Sequence, residues 1–339
     1  MAKLTIAEAL RQAIAEEMRR DSRVFCLGED IDVEGGFGGA FTVTLGLSKE
    51  FGHDRILDTP ISEIMIAGAA VGAAITGMIP IADVQYGDFL FCMMDQLANN
   101  AAKMTYMSGG TVKVPMVMRA PVGATTRGAQ HAQSLESFFT HIPGLKVICP
   151  STAYDAKGLM KTAIRDENPV IFFEHKLLYG SKGNRAEKSS LSPVGEVPEE
   201  EYLIPFGVGA VRREGTDITI VANLMMVYRA LEAADILEKE GISVEVIDPR
   251  TLVPFDYDLV IKSVEKTSRL IIVEEDVKRN GWGAELAAQI AEDALFHLDA
   301  PIRRVASYDI PMPFAPVMEN FVVPSVDRIA GVARALMTN

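Results

Sequence analysis

Cysteine is scarce in this 339-residue chain: Cys26, Cys92 and Cys149 lie far apart, with no CxxC pair. An odd, sparse set excludes a disulfide framework and points to a reduced, cytoplasmic setting. Each is expected to be a buried small hydrophobe rather than a nucleophile. Basic residues are also in deficit, with 33 Lys and Arg against 46 Asp and Glu and a net charge of -13. That balance excludes a nucleic-acid or anionic-membrane partner, because either needs a basic face. It favours solubility and is compatible with a basic protein partner. The start MAKLTIAEAL carries none of the pattern of a signal peptide, since a charged helical period begins at once.

Several motifs are missing as well. There is no GxxxxGK[ST], no GxSxG and no HExxH. GGFGG at 35–39 and GVGAVRREG at 207–215 lack both GxGxxG spacing and the strand–turn–helix frame of a dinucleotide site. A self-contained NAD-dependent oxidoreductase is therefore the distant alternative. The five histidines, His53, His131, His141, His175 and His297, are scattered, and no pair has metal-ligand spacing on a helix face.

What is present begins with LDTPISEIMIAGAAVGAAITGMIPIA, Leu57 to Ala82, uncharged from Ile64 onward. Its length meets the crude test for a membrane span. Ala and Gly are weakly hydrophobic, Pro80 interrupts the end, and the acids Glu63 and Asp83 flank it instead of Lys or Arg. A fully buried helix followed by a buried strand accounts for it better. Gly68 and Gly72 form a GxxxG step on one helix face, which lets another helix approach closely.

Along the chain, β-rich runs alternate with helical periods. Thr5 and Glu8 form a capping box ahead of an amphipathic helix to about Arg20. Strands are expected at Arg23–Leu27 and in PIADVQY, VPMVMRAP, LKVICPS and PVIFFEH. DFLFCMMDQLANNAAKM is expected to be one helix, and Thr152 with Asp155 opens another to about Arg165. DITIVAN, SVEVIDP and RLIIVEED are strands of the second half. VYRALEAADILEKEG, AELAAQIAEDALF and VDRIAGVARALM are its helices, the first closed by Gly241. The alternation implies an α/β fold: two doubly wound domains with mainly parallel sheets. SKGNRAEKSSLSPVGEVPEEEYLIP, 181–205, is polar and proline-rich and is expected to be a loop or linker. The domains are expected at 1–190 and 209–339, with a linker at 191–208.

Two residues stand out by context. Glu63 lies at the mouth of the apolar helix, where a first-turn acid meets the positive end of the helix dipole. Capping alone leaves its company, Asp58, Thr59, Pro60 and a tightly packing helix, unexplained. His131, in AQHAQS, sits in an irregular loop between two expected strands, where sites of α/β sheets assemble. A hydrogen-bonded surface histidine accounts for that pattern equally well.

LDTPISE with its Gly/Ala helix, then AAKMTYMSGG, AQHAQS, IPGLKVICP, YDAKGLMKTAIRDENPV and EHKLLYG, appear in order over nearly the whole chain. The set resembles the β chain of the thiamine-diphosphate-dependent decarboxylase component of 2-oxo-acid dehydrogenase complexes. The wording of HIPGLKVICPSTAYDAKG, VIFFEHKLLYG and VPEEEYLIPFG is most similar to the acetoin dehydrogenase β chains, and pyruvate and branched-chain enzymes share much of it. The resemblance implies a thiamine-diphosphate pyrimidine-binding domain followed by a transketolase C-terminal-like domain.

It also implies that Glu63 hydrogen-bonds the aminopyrimidine ring of thiamine diphosphate and promotes the nucleophilic ylid, with an acyl group then passed to a lipoyl carrier. His131 matches a histidine with roles in proton handling and acyl transfer to the lipoyl group. Phe89 matches an aromatic packed on the pyrimidine, and Ile61 and Gln85 match less constant pocket positions. A potassium site of backbone carbonyls falls at Met116, Ala163, Ile164, Asp166 and Asn168. The family's Mg²⁺-diphosphate motif GDG…N is absent here, and YGDF at 86–89 is no substitute. The resemblance therefore implies a separate α subunit that holds Mg²⁺ and the diphosphate, an α2β2 heterotetramer, and a dihydrolipoyl acyltransferase core as the further partner. The long 181–205 junction departs from the expected pattern, and RNGWGAELAAQIAED is given no catalytic role.

Overall fold

The computed structural model describes residues 1–33, 38–180 and 194–338. The chain divides into two compact units. The first comprises Met1–Val122 and Phe138–Phe206; the second comprises Gly123–Ser137 and Gly207–Asn339.

The first unit opens with β1 (Ala2–Leu4) and α1 (Ile6–Arg20), and the Thr5–Glu8 capping box is formed. Then come β2 (Val24–Glu29), α2 (Leu47–Phe51), β3 (Ile56–Thr59), α3 (Glu63–Ile75) and β4 (Ile79–Asp83). They are followed by α4 (Ala102–Met107), β5 (Val117–Val122), α5 (Glu136–Thr140, whose first two residues belong to the second unit), β6 (Lys146–Ile148), α6 (Ala153–Arg165), β7 (Val170–His175) and β8 (Gly195–Val197). The strands of its main sheet run β6-β7-β5-β4-β2-β3, and every pair is parallel. β2, β4, β5 and β7 are buried along their whole length, as parallel strands covered on both faces must be. β1 pairs antiparallel with β8. Of the polar stretch 181–205, residues 181–193 lie outside the described residues; β8 and a stretch without strand or helix follow.

Three expectations change. DFLFCMMDQLANNAAKM is not one helix but a 3₁₀ stretch (Gly87–Met93), a π-helical turn (Asp95–Ala101) and the start of α4. The Asn100 side chain donates to the Asp95 carbonyl, competing for an acceptor that a regular turn uses. α3 is not fully buried within this chain: Ile66, Ala67, Ala70, Val71 and Ala74 face the core, while Ile64, Met65 and Ile75 are exposed. Cys92 is exposed too, and only Cys26 and Cys149 are buried.

The second unit contains β9 (Ala210–Arg213), β10 (Ile218–Ala222), α7 (Met225–Glu238), β11 (Val244–Asp248), β12 (Thr251–Val253), α8 (Tyr257–Thr267) and β13 (Leu270–Val277). α9 (Trp282–Asp293), β14 (Arg303–Ser307), α10 (Pro316–Val322) and α11 (Val326–Met337) complete it. Its sheet order is β14-β13-β10-β11-β9, parallel except for the edge strand β9. The turn after α7 closes as expected, with Gly241 N–H on the Glu238 carbonyl and Ile242 N–H on that of Leu237. No helix among the described residues is long and apolar enough to cross a membrane.

Candidate functional site

In the first sheet the chain passes from β2 to β3 on one side and then to β4 on the other. The C-terminal ends of these strands therefore flank a topological switch point, the usual ligand position of an open α/β sheet. Three polar residues end the strands there: Glu29 on β2, Thr59 on β3 and Asp83 on β4. Glu29 and Thr59 are register partners. Glu29 is only 5% exposed, and among the described residues no hydrogen bond reaches its Oε1, Thr59 Oγ1 or Gln85 Oε1. Buried oxygens without donors are uncommon in native proteins and need a reason.

Glu63, half-buried, begins α3 four residues after β3 ends. Ser62, its N-cap residue, makes no side-chain cap, and the Ser62 carbonyl accepts from Ile66 N–H. The Glu63 charge is felt next door. Burial first, then the negative charges of Glu63, Asp83 and Asp30, push the Glu29 carboxyl up to about 7. Sequence reasoning missed Glu29, because the expected strand stopped at Leu27 and GED joined the glycine loop. The available signal was an acid closing an otherwise apolar run.

Beneath this edge lies a buried ionic cluster. Arg119, on β5, donates through Nε and Nη2 to the two carboxylate oxygens of Glu174 on β7, at 2.8 and 2.6 Å. Its Nη1 meets Asp83, and the Tyr179 hydroxyl donates to Glu174. Burial outweighs the guanidinium at Asp83 and holds its carboxyl up at about 6. Asp83 also accepts from Gln85 Nε2 at 2.6 Å, so the cluster fixes the pocket-side glutamine. Gly28, on β2, allows this packing: a Cβ there would lie 2.5 Å from the Asp83 carbonyl oxygen.

The other expected residues are placed as follows. Phe89 is half-buried in the 3₁₀ stretch after β4, its N–H on the Tyr86 carbonyl. Ile61 is 80% exposed in the single chain. His131 is half-buried and belongs to the second unit, so Glu63 and His131 are carried by different units. The carbonyls of Met116 and Ala163 already accept from Val170 and Asp166 N–H. Asn168 N–H donates to the Asp166 side chain instead of the Ile164 carbonyl, which the end of α6 leaves without its helical donor.

The architecture and the acid-lined sheet edge define a transketolase-type two-domain α/β protein. Residues 2–182 match the family model "Transketolase, pyrimidine binding domain", and residues 207–329 match "Transketolase, C-terminal domain". The chain is 48% identical to the acetoin:2,6-dichlorophenolindophenol oxidoreductase subunit beta of Cupriavidus necator, covering 99% of this chain and 98% of that one. It is 46% identical to the 2-oxoisovalerate dehydrogenase subunit beta of Bacillus subtilis, covering 99% of both. With the pyruvate dehydrogenase E1 component subunit beta of Rhizobium meliloti it shares 44%, over 99% of this chain and 70% of the relative. The chain belongs to this family of oxidoreductase β subunits, the E1-type dehydrogenases of 2-oxo acids and acetoin. A solved structure titled "Split gene transketolase, inactive beta4 tetramer" shares the fold, with a TM-score of 0.78 at 22% identity over 99% of each chain.

Proposed function

We propose that the chain is the β subunit of a cytoplasmic, thiamine-diphosphate-dependent acetoin dehydrogenase that works only with an α subunit and passes the acyl group to a lipoyl carrier. One observation carries this reading: three buried oxygens, Glu29 Oε1, Thr59 Oγ1 and Gln85 Oε1, have no donor among the described residues on the sheet edge that leads to Glu63. An aminopyrimidine brings N–H donors to such oxygens, so the residues present fit that half of the cofactor. When bound, thiamine diphosphate supplies the nucleophilic carbon and the electron sink.

The chain's own residues bind and hold protons. Glu63 holds the proton at the pyrimidine ring nitrogen. Glu29, protonated up to about pH 7 and within reach of the Glu63 charge, keeps a second acidic proton in the same water-poor pocket. Phe89 packs on the ring, and Gln85 and Ile61 line the pocket. An exposed Ile61 suits a wall that a partner chain completes. His131 handles the proton in acyl transfer to the lipoyl group.

The chain lacks a GDG motif, so the Mg²⁺-diphosphate half is assigned to the α subunit in an α2β2 heterotetramer. The exposed Ile64, Met65 and Ile75 of α3 support a subunit contact there, as does Gly72, whose missing Cβ would have no neighbour within 4 Å. A dihydrolipoyl acyltransferase core is the expected acceptor-bearing partner. Ala163, Ile164, Asp166 and Asn168 offer carbonyl oxygens at or just after the negative end of α6, and Met116 offers one just before β5, donor chemistry that fits a potassium ion.

Acetoin as substrate is supported by the 48% identical relative; a branched-chain 2-oxo acid is the second reading, supported by the 46% identical one. The test is co-expression with an α subunit, followed by a substrate panel with 2,6-dichlorophenolindophenol. Glu63→Gln is expected to assemble yet lose roughly 10²–10⁴-fold in turnover. Turnover at the wild-type rate would remove Glu63 from the chemistry. Faster reduction with 2-oxoisovalerate than with acetoin would replace the substrate.

A further inference from the structure

The second unit has its own switch point. β10 is followed by α7 to β11 on one side, and the chain then crosses to β13 on the other. The crevice at the C-terminal ends of β10 and β13 is where such a sheet offers a ligand site. At the end of β13 it presents three successive acids, Glu274, Glu275 and Asp276, all buried. Glu274 is used within the unit, accepting from Gly283 N–H at 2.9 Å and from Arg304. The other two accept from the segment Gly123–Ser137, which the sequence places in the first half of the chain.

Glu275 Oε1 accepts from Ala124 N–H at 2.6 Å. Asp276 accepts from the Ser137 hydroxyl at 2.5 Å. A third acid, Glu319 in the first turn of α10, accepts from Thr126 N–H at 2.7 Å and is itself buried. The grips fall at 124, 126 and 137 and leave His131 between them. The segment is tied internally as well: Gly123 N–H donates to the Gln133 carbonyl at 3.0 Å, and His131 N–H to that of Gly128 at 3.2 Å. Gly128 has φ +78°, and a Cβ there would stand 3.3 Å from the ring of Phe314, so that ring seats the turn just before the histidine.

A shell of buried acids is a costly way to hold a surface segment, since each must be desolvated. Glu136, also buried, is pushed far above the carboxylate range by burial and then by Asp276, Glu275 and Glu274, so it stays protonated beside them. What these carboxyl oxygens give in return is direction: a hydrogen-bond acceptor fixes a backbone N–H at one distance and angle, as an apolar contact does not.

We propose that Glu275, Asp276 and Glu319 are positioning residues for His131, clamping Gly123–Ser137 so that the imidazole stands at one place for proton transfer during acyl transfer. This rests on the role assigned to His131 above. Displacing a proton-transfer group by about 1 Å costs up to roughly a hundredfold in rate.

The test is a double-mutant cycle in the reconstituted α/β complex, with acyl transfer to free lipoamide as the readout. Glu319→Leu is expected to lower kcat about 10–100-fold with KM for lipoamide within about twofold, and Glu319→Gln, which keeps an acceptor oxygen, to restore most of the rate. In the His131→Ala background, Glu319→Leu is expected to change the rate by less than about twofold. A further loss of the same factor in that background overturns the inference, because the acid would then act on the fold and not through His131. Full rate in Glu319→Leu beside a crippled His131→Ala also overturns it while leaving the His131 role standing. Full rate in His131→Ala refutes the role itself. Should Glu319→Leu not assemble, Ser137→Ala, which removes the hydroxyl donor to Asp276 and leaves the backbone bonds of Ser137 and Val277 to it, runs the same cycle with a smaller expected loss.

Discussion

Replacing Arg119 with Met removes the one cation of a buried cluster and keeps much of its volume. In the folded protein Arg119 is 1% exposed, gripped bidentately by Glu174 and in contact with Asp83. Without it, two buried carboxyls lose their counter-charge. Breaking one buried pair costs about 3–5 kcal/mol. The loss has a ceiling, because a carboxyl can take up a proton instead of staying charged. Neutralising one with an ordinary pKa near 4 costs about 1.4 kcal/mol per pH unit, hence about 5 kcal/mol at pH 7.5 and about 1.5 kcal/mol at pH 5.

Asp83 adds a further pH dependence. It already sits near 6 in the intact cluster, so at pH 5 it carries its proton and loses little when Arg119 is removed. An acid whose folded pKa is raised binds more protons folded than unfolded, so its penalty grows as pH rises from the unfolded value through the folded one. The Arg119→Met variant is therefore expected to lose at least about 4 kcal/mol at pH 7.5 and under about 2 kcal/mol at pH 5. Urea unfolding of wild type and variant at both pH values measures this directly. A gap below about 1 kcal/mol at pH 7.5, or one no smaller at pH 5, would refute the reasoning.

Three further outcomes follow from the site. Glu29, with its carboxyl pushed up to about 7, makes the protein lose stability as pH rises from about 4.5 to 7; Glu29→Gln is expected to flatten that slope in unfolding curves taken at pH 5, 6 and 7.5. Gly28→Ala would set a Cβ 2.5 Å from the Asp83 carbonyl oxygen and 2.9 Å from its Cβ, and is expected to destabilise by about 1–3 kcal/mol or more in thermal melts, whereas an unchanged melt would mean that β2 and β4 separate freely. Replacing potassium by tetramethylammonium at equal ionic strength is expected to lower the melting temperature of the assembled enzyme, with a dependence on potassium concentration as mass action requires; identical melts would leave the carbonyl cluster a simple helix end.

The sequence by itself determined the α/β class, most strand positions, the Thr5–Glu8 capping box and the Thr152 helix cap. The reasons are local. Apolar runs such as VIFFEH can only be covered strands, Thr5 and Thr152 cap the helices that follow them, and the lack of GDG is legible without coordinates. The tertiary structure alone decided which acids matter. Glu29 closes β2 and looks like part of a glycine loop until parallel pairing brings it level with Thr59 and beside Asp83. Arg119, Glu174 and Asp83 stand far apart along the chain and become one cluster only because β4, β5 and β7 are neighbours. His131 has no sequence signal for its anchors either. The carboxylates that grip its segment come from β13 and α10, more than a hundred residues later, and charge acts through space rather than along the chain.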